Sequence, residues 1–397
     1  MRLSAPFSVL FFACAAHSFH HVLLALYFTL VLAIAPAWHL PYNTLIALWT
    51  IGAMLVGLGS PIAGWLADRI GETKVLVLCF GGLGAAAMLC GLARNTAQLQ
   101  AALALLGLSG SIYHPVGFAW VVKHARVRGR AIAATGFAGS VGVALGPVVA
   151  AGLASLWGWR AAFILPGAIT VAAGIALLGF HLAGRVEDRA EDRVPHPHTA
   201  TRADMTRVFS VMSITMTLTL MVYAAFGTAL PKLIQLSGMV GPNGLFAIGL
   251  IAGTIQFVGA TAQFLGGRLA DGGALKLAYS GMFILMAAIF PVLAFSSGWA
   301  VGFVAVAAVL VFEATAPLET IWIAHYTPAS RRGFVFGMRY ALGAIGTPAG
   351  VWLVARSFTP EHHFTYMLMA MTVLALIAMA AALFLPGDRA AQAVPAE

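Results

Sequence analysis

Long apolar stretches alternate with short polar segments from one end of the chain to the other. A helix needs roughly 20 apolar residues to cross a bilayer, and twelve stretches are close to or above that length. The pattern therefore predicts an all-α membrane protein with twelve transmembrane helices. The predicted spans cover residues 7–33, 44–66, 75–93, 98–122, 131–154, 160–182, 208–234, 244–267, 275–296, 299–324, 334–356 and 363–385.

One short polar motif occurs at matching places in the two halves of the chain. Gly64 and Asp68 stand at the end of the second span, and Gly267 and Asp271 stand at the end of the eighth. Repetition of this kind indicates a duplicated unit, so we expect two pseudo-symmetric six-helix bundles. The predicted parts are an N-terminal bundle over 1–182, a linker over 183–207 and a C-terminal bundle over 208–397.

Composition leaves no room for a large water-soluble domain. Hydrophobic residues make up 61% of the chain and charged residues 9%, whereas soluble domains carry about 25% charged residues. The formal net charge of +9 does not indicate nucleic-acid binding, because the cations are spread over loops between apolar spans. We expect a monomer whose partners are the lipid bilayer and a small-molecule substrate.

The positive charges predict the orientation of the chain. If the twelve spans alternate in direction, eighteen of the 22 Lys and Arg residues fall on one side of the membrane. Loops rich in Lys and Arg stay on the cytoplasmic side. We therefore expect a multi-pass protein of the inner membrane with both termini in the cytoplasm. The charged, proline-containing linker is expected to be a flexible cytoplasmic connection.

The first copy of the motif resembles a signature of the major facilitator superfamily. In that family the loop after the second span reads Gly-x-x-x-Asp-Arg-x-Gly-Arg-Lys/Arg. Gly64, Asp68, Arg69 and Gly71 match its first four constraints, whereas Glu72 and Thr73 depart from its basic end. The resemblance implies transport by alternating access, with this loop holding one state closed. Gly64 is expected to permit close helix packing, and Asp68 to place a carboxylate beside a helix end and cations.

Two further stretches resemble drug-exporting members of the superfamily. Gly142, Gly146 and Pro147 resemble a motif that is common in efflux proteins, and small residues four apart also make a packing face. Residues 107–115 and 128–131 resemble the fosmidomycin-resistance branch, which exports small drugs. That branch tends to have an acid four residues after a histidine in span one, where this chain has His21 after His17.

Histidines form the main polar cluster at membrane depth. His17, His20 and His21 lie within a wedge of roughly 100° on one helix, and an ionisable group at this depth is a candidate for function. Imidazole titrates near neutral pH, so the cluster can carry protons or bind an anionic substrate. The alternative is that each ring is neutral and hydrogen-bonded to a neighbouring helix. A metal site is the least favoured alternative, because no carboxylate lies nearby in sequence and the nearest cysteine, Cys14, is interpreted as a packing residue.

Span ten contributes two buried acids. Glu319 occupies nearly the place in the second half that His114 occupies in the first, and it is expected to pair with Arg339. Glu313 is expected to lie nearer the midplane and to be freer, and if it is unpaired it can carry a proton. The alternative is a structural carboxylate that is hydrogen-bonded to the backbone near Pro317. The predicted proton and substrate set is completed by His114, Glu313, Glu319 and Arg339.

The leading hypothesis is a proton-coupled secondary transporter that exports a small organic compound, without a bound cofactor. A facilitator or importer of a small organic anion is the first alternative, and a non-transporting membrane sensor is the second. No nucleophile elbow, phosphate-binding loop or metal triad is present in the sequence, so an enzyme is not expected.

Overall fold

A computed structural model describes residues 5–125, 128–186, 201–241, 244–327 and 332–387. Side chains are described over the same ranges except at residues 5–6, 128–129, 324 and 332–340. The described ranges are helical almost throughout. The helices are α1 (Ala5–Trp38), α2 (Tyr42–Ile70), α3 (Glu72–Leu92), α4 (Thr96–Gly110), α5 (Tyr113–His124), α6 (Arg128–Leu182), α7 (Arg202–Leu236), α8 (Leu245–Ala260), α9 (Ala262–Asp271), α10 (Leu275–Ala294), α11 (Trp299–Tyr326), α12 (Arg332–Ser357) and α13 (Thr365–Ala382).

These helices agree with the predicted all-α membrane fold. Ten segments of the described chain are long and apolar enough to cross a membrane. The longest of them, Arg130–Leu182, has 53 residues, which suffices for two crossings, and it bends at Gly158 with φ 83°. Helix α12 adds a further 26 residues. The fold class is confirmed, and the helices are consistent with twelve crossings.

Two predicted spans are each built from two helices. The fourth span consists of α4 and α5, which meet at Ser111 and Ile112, and the eighth consists of α8 and α9, which meet at Thr261. The start of α4 is fixed by a side-chain cap. The Asn95 side chain accepts a hydrogen bond from the Gln98 backbone N–H.

Contacts between α-carbons divide the chain into two compact units. The first unit contains residues 1–192 and 240–254, and the second contains residues 193–239 and 255–397. Each unit has its own fully buried aromatic side chains. Those of the first unit include Tyr27, Phe80, Tyr113, Trp120 and Phe163, and those of the second include Phe226, Tyr279, Phe283, Phe290 and Trp322.

The first turns of α8 pack closely on α6 within the first unit. A Cβ atom at Gly253 would lie 2.5 Å from the carbonyl oxygen of Ala144 and from a methyl group of Val148. Gly249, one turn earlier, lies against the backbone of Pro147. Small residues four apart let helices in a membrane approach this closely. The predicted linker boundaries stay a prediction, and residues 187–200 of the linker lie outside the described ranges.

Candidate functional site

Close packing of α1 on α6 positions the first histidine. A Cβ atom at Gly139 would lie 2.5 Å from Cε1 of His17, so only glycine leaves room for this ring. Nδ1 of His17 lies 2.7 Å from the backbone oxygen of Thr135, and the Ser18 hydroxyl donates to the backbone oxygen of Ala138 at 2.6 Å. Because a carbonyl only accepts hydrogen bonds, Nδ1 of His17 carries the proton in a neutral ring.

The glycines of the predicted efflux motif lie on the same helix contact. A Cβ atom at Gly142 would lie 2.5 Å from the backbone oxygen of Ser18, and one at Gly146 would lie 2.5 Å from Cβ of Ala25. Pro147 follows on the buried side of α6. Together with Gly139 these residues let α1 lie directly against α6.

The break between α4 and α5 brings a second helix to the histidines. Pro115 lacks an N–H, so the carbonyl of Ser111, four residues earlier, loses its helical partner. That carbonyl instead accepts a hydrogen bond from the Ser60 hydroxyl of α2 at 3.0 Å. The neighbouring Tyr113 donates through its hydroxyl to the Ala13 carbonyl at 3.0 Å and stacks on His17 with a centroid distance of 4.5 Å.

Four imidazole rings meet between α1 and α5. Nε2 of His21 lies 3.1 Å from Nε2 of His17, and the ring of His114 lies 5.2 Å from that of His17 and 5.5 Å from that of His21. His20 completes the group, with centroid distances of 4.7 Å to His21 and 4.9 Å to His114. His17 and His20 are buried, whereas His21 and His114 are half-buried. The contact of His114 with the other three could not be read from spacing along one helix.

The two acids of span ten have separate polar partners in the second unit. The Gln263 side chain donates to Glu313 at 2.6 Å, so the expectation that Glu313 is unpaired is corrected. Glu319 is buried, and the Tyr279 hydroxyl lies 3.4 Å from its carboxylate. The predicted pair of Glu319 with Arg339 stays a prediction, because the Arg339 side chain lies outside the described residues.

A cavity of about 350 Å³ lies between α9 and α11, beside the Gln263 contact. Gln263 itself forms part of the wall. The wall is mostly apolar, and it includes one acidic residue, Asp271. The lining residues are Gln263, Gly267, Ala270, Asp271, Ala316, Pro317, Thr320 and Ile321.

The loop after α2 contains both the predicted motif and an unpredicted ion pair. Asp68 and Arg69 are exposed on the last turn of α2, and the Arg69 guanidinium lies 4.0 Å from the ring centroid of Trp65. Gly71 ends the helix with φ 94°, a conformation that favours glycine.

Glu72, the first residue of α3, forms an ion pair with Lys123 at the end of α5. This pair joins the loop between the second and third spans to the end of the fourth. Among the described side chains of this loop, the carboxylate in an ion pair is therefore Glu72 rather than the predicted Asp68. An acid at the start of a helix is also favoured by the helix dipole.

Near Gly64 and Gly267, close helix contacts are made by neighbouring glycines rather than by these two motif glycines. A Cβ atom at Gly64 would meet the nearest described neighbour, Cβ of Pro115, at 4.0 Å, an ordinary contact. The close approach of α2 is one turn earlier, where a Cβ atom at Gly59 would lie 2.8 Å from Cβ of Ser111. The expected role of Gly64 is corrected accordingly.

In the second motif, too, the close helix contact is made by the glycine next to the motif glycine. Gly267 lines the cavity, and a Cβ atom added there would meet no described atom within 4 Å. Its neighbour Gly266 lies directly against the Ala314 backbone of α11. The side chain of Asp271 is exposed at the end of α9.

Comparison with known proteins gives a family match and several partial relatives. The family model described as "Major Facilitator Superfamily" matches residues 7–350. "Multidrug resistance protein B homolog" of Mycobacterium tuberculosis is 29% identical over 121 residues, which is 30% of this chain and 22% of that protein. "Multidrug efflux pump LfrA" of Mycolicibacterium smegmatis is 29% identical over 150 residues, which is 37% of this chain and 27% of that protein. The chain therefore matches about a quarter of the length of these relatives.

Solved structures share the fold over nearly the whole chain. A bacterial homologue of the human lysosomal transporter Spinster, solved in an inward-facing and unoccupied conformation, has a TM-score of 0.70 at 15% identity, over 98% of both chains. The human organic anion transporter MFSD10 (TETRAN) has a TM-score of 0.69 at 18% identity, over 94% of this chain and 98% of the other.

The family match, the membrane-spanning helices and the shared fold lead to one assignment. Members of this family are multi-pass membrane proteins that carry small-molecule substrates, so the chain is a transporter and not an enzyme. This protein belongs to the Major Facilitator Superfamily.

Proposed function

We propose that this transporter exports a small organic compound across the inner membrane and drives the export with the proton gradient. The observation that carries the proposal is the hydrogen bond from Gln263 to Glu313 beside the cavity of the second unit. An ionisable group inside a membrane-spanning helix is costly and often marks a proton pathway. The partner of Glu313 in this contact is a neutral amide, which leaves the carboxyl group able to take up and release a proton.

Gln263 connects the proton site with the substrate site in this proposal. Its side chain contacts Glu313 and also lines the cavity, so an occupant of the cavity lies beside the group that holds the carboxylate. Coupling then follows if the two halves alternate in exposing the site to either side of the membrane, as secondary transporters do. In this proposal the energy comes from the proton gradient, and no bound cofactor is required.

The chemistry of the cavity favours a neutral or cationic compound over an organic anion. Its volume of about 350 Å³ lies within the range of roughly 300–1,000 Å³ for small-molecule sites. Its lining residues include the carboxylate of Asp271 and no Lys or Arg among the described side chains. The organic-anion importer therefore gains no support from this site.

The names of the partial relatives support export from the cytoplasm. These relatives are called multidrug resistance and efflux proteins, and they are 29% identical over about a third of this chain. The distribution of Lys and Arg favours cytoplasmic termini and so bears on the orientation of the chain, not on the direction of transport.

The test is transport of a lipophilic cationic dye in proteoliposomes under an imposed pH gradient. We expect dye movement to follow the gradient with the unmodified protein. Glu313→Gln removes the proton-carrying group, so it should abolish gradient-driven movement while dye-for-dye exchange persists. Glu361→Gln is the matched control, because it makes the same chemical change at an exposed carboxylate.

Three results would contradict the proposal in different ways. Gradient-driven transport that survives Glu313→Gln would exclude Glu313 as the proton carrier. Transport that ignores the gradient in the unmodified protein would indicate a facilitator. Absence of both gradient-driven movement and exchange, with several cationic, neutral and anionic dyes, would favour the membrane sensor.

A further inference from the structure

We propose that His17, His21 and His114 bind one divalent transition-metal ion of the zinc class. One ring nitrogen of each residue lies within 4.8 Å of the corresponding atom of the other two. All three residues belong to the first unit, whereas the proposed proton carrier Glu313 belongs to the second. The metal site is therefore separate from the proposed transport chemistry and can be tested without it.

The distance between the first two ligands already fits a metal site. A tetrahedral zinc ion with Zn–N bonds of about 2.0–2.1 Å holds its ligand nitrogens about 3.3 Å apart. Nε2 of His17 and Nε2 of His21 are separated by 3.1 Å in a hydrogen bond, in which His21 donates because the lone pair of His17 is on Nε2. A metal ion would replace this proton, so His21 must carry its ring proton on Nδ1 when it coordinates. The third ligand has to move closer, because the ring nitrogens of the three residues lie within 4.8 Å of one another and ligand nitrogens of a zinc ion lie about 3.3 Å apart.

The surroundings of His17 prepare it to coordinate through Nε2. Its Nδ1 lies 2.7 Å from the Thr135 carbonyl, so in the neutral ring the proton is on Nδ1 and the lone pair is on Nε2. A backbone carbonyl that accepts from the second ring nitrogen is the usual support of a metal-binding histidine. Gly139 and Tyr113 enclose the ring and hold it in this orientation.

The ligand set selects the class of ion. Imidazole binds Zn²⁺, Cu²⁺, Ni²⁺ and Co²⁺, whereas Mg²⁺ and Ca²⁺ require oxygen ligands. Three histidines leave a fourth tetrahedral position for water or another small ligand. The missing carboxylate or cysteine, which made a metal site the least favoured alternative in the sequence, is replaced by a third imidazole from a different helix.

A bound ion would join two helices that the sequence separates by about ninety residues. His17 and His21 are on α1 and His114 is on α5, so coordination would tie these helices together inside the first unit. Binding to the folded protein alone stabilises it by mass action. Zinc should therefore raise the thermal stability of the unmodified protein, and Mg²⁺ should not.

The test is metal binding by the purified full-length protein after its affinity tag has been removed. Zinc content and affinity are measured by elemental analysis and calorimetry, and Co²⁺ is used as a spectroscopic probe because its four-coordinate complexes absorb strongly in the visible range. We compare His21→Asn and His114→Asn with one control variant. His39→Asn removes an exposed imidazole outside the cluster.

We expect one zinc ion per chain in the unmodified protein and in the His39→Asn control. Loss of an outer-shell partner weakens metal sites by about 10–100-fold, so loss of a direct ligand should weaken binding by more than about 100-fold. The four-coordinate Co²⁺ spectrum should disappear in His21→Asn and His114→Asn.

Zinc binding that is unchanged in both ligand variants would overturn the proposal, as would no stoichiometric binding by the unmodified protein. If one ligand variant does not fold, the other decides whether these rings bind the ion, because zinc binding by the unmodified protein alone does not distinguish this site from the other histidines of the chain. A four-coordinate Co²⁺ spectrum together with zinc-dependent stabilisation supports the site, and the absence of either one refutes it.

Discussion

At the scale of single residues, the ion pair of Glu72 with Lys123 makes a stability prediction. The Glu72 side chain is 5% exposed and that of Lys123 is 19% exposed, so the pair lies between a surface pair and a buried one. Exposed pairs are worth up to about 1 kcal/mol, and breaking a buried pair costs about 3–5 kcal/mol. We expect Lys123→Met to lower the free energy of unfolding by about 2 kcal/mol, measured by denaturant titration in detergent.

A double variant tests whether the lost stability comes from the broken ion pair or from other effects of replacing Lys123. Glu72→Gln in the Lys123→Met background removes the unpaired buried charge, so the double variant should recover part of the lost stability. Lys74→Met, at an exposed lysine on the same helix, is the control and should change little. If the double variant is no more stable than Lys123→Met, the lost stability does not come from leaving the Glu72 carboxylate without its partner.

Some contacts between single residues could be predicted from the sequence, and others could not. The grouping of His17, His20 and His21 follows from helical periodicity alone, because residues three and four apart share a face. The proximity of His114 could not be deduced, because it depends on how α5 packs on α1. The partner of Glu313 was missed for the same reason, since Gln263 lies fifty residues away on α9.

At the scale of helices, Gly139 of α6 makes a packing prediction. A Cβ atom there would lie 2.5 Å from Cε1 and 2.6 Å from Nε2 of His17, which has no room to retreat between α6 and Tyr113. Overpacking of this kind costs about 1–3 kcal/mol. We expect Gly139→Ala to lower the midpoint of thermal unfolding in detergent.

Gly136, one turn earlier on the same helix, is the matched control. A Cβ atom at Gly136 would meet no described atom within 4 Å, and alanine is favoured over glycine in a helix by about 1 kcal/mol. Gly136→Ala should therefore be neutral or slightly stabilising. Equal effects of the two substitutions would show that helix propensity, and not the contact with His17, determines the outcome.

Helix content and approximate spans followed from the sequence, whereas the exact contacts between helices did not. Apolar length predicts crossings directly, because the bilayer sets the length of a helix. The motif glycines Gly64 and Gly267 were expected at close contacts, but Gly59 and Gly266 are the glycines that face a neighbouring helix. Which face of a helix meets its neighbour depends on rotation about its axis, and a short motif does not specify that rotation.

At the scale of the whole molecule, the family and fold could be predicted and the substrate could not. The paired Gly-x-x-x-Asp motifs and the twelve apolar stretches are properties of the scaffold, which many transporters share. The cavity depends on side chains from α9 and α11 that come together only in the folded second unit. Its mixture of apolar residues with one carboxylate limits the substrate to a chemical class rather than naming it.

The orientation of the chain is the remaining prediction at this scale. Lys and Arg residues are concentrated in alternate loops, so those loops and both termini should be cytoplasmic. The ion pair of Glu72 with Lys123 agrees with the alternation, because it joins two of the cation-rich ends in the first unit. We expect a membrane-impermeant maleimide to label Asn95→Cys and Ser297→Cys in intact cells, because both residues are exposed in loops assigned to the outside.

Lys74→Cys and Arg202→Cys should be labelled only after the cells are opened, because both residues are exposed in segments assigned to the cytoplasm. The background protein should carry serine at Cys14, Cys79 and Cys90, so that the introduced thiol is the reactive one. The reverse labelling pattern would contradict the predicted orientation and place both termini outside the cytoplasm. Labelling of Asn95→Cys and Lys74→Cys from the same side would contradict the alternation of spans itself, since α3 would then fail to cross the bilayer.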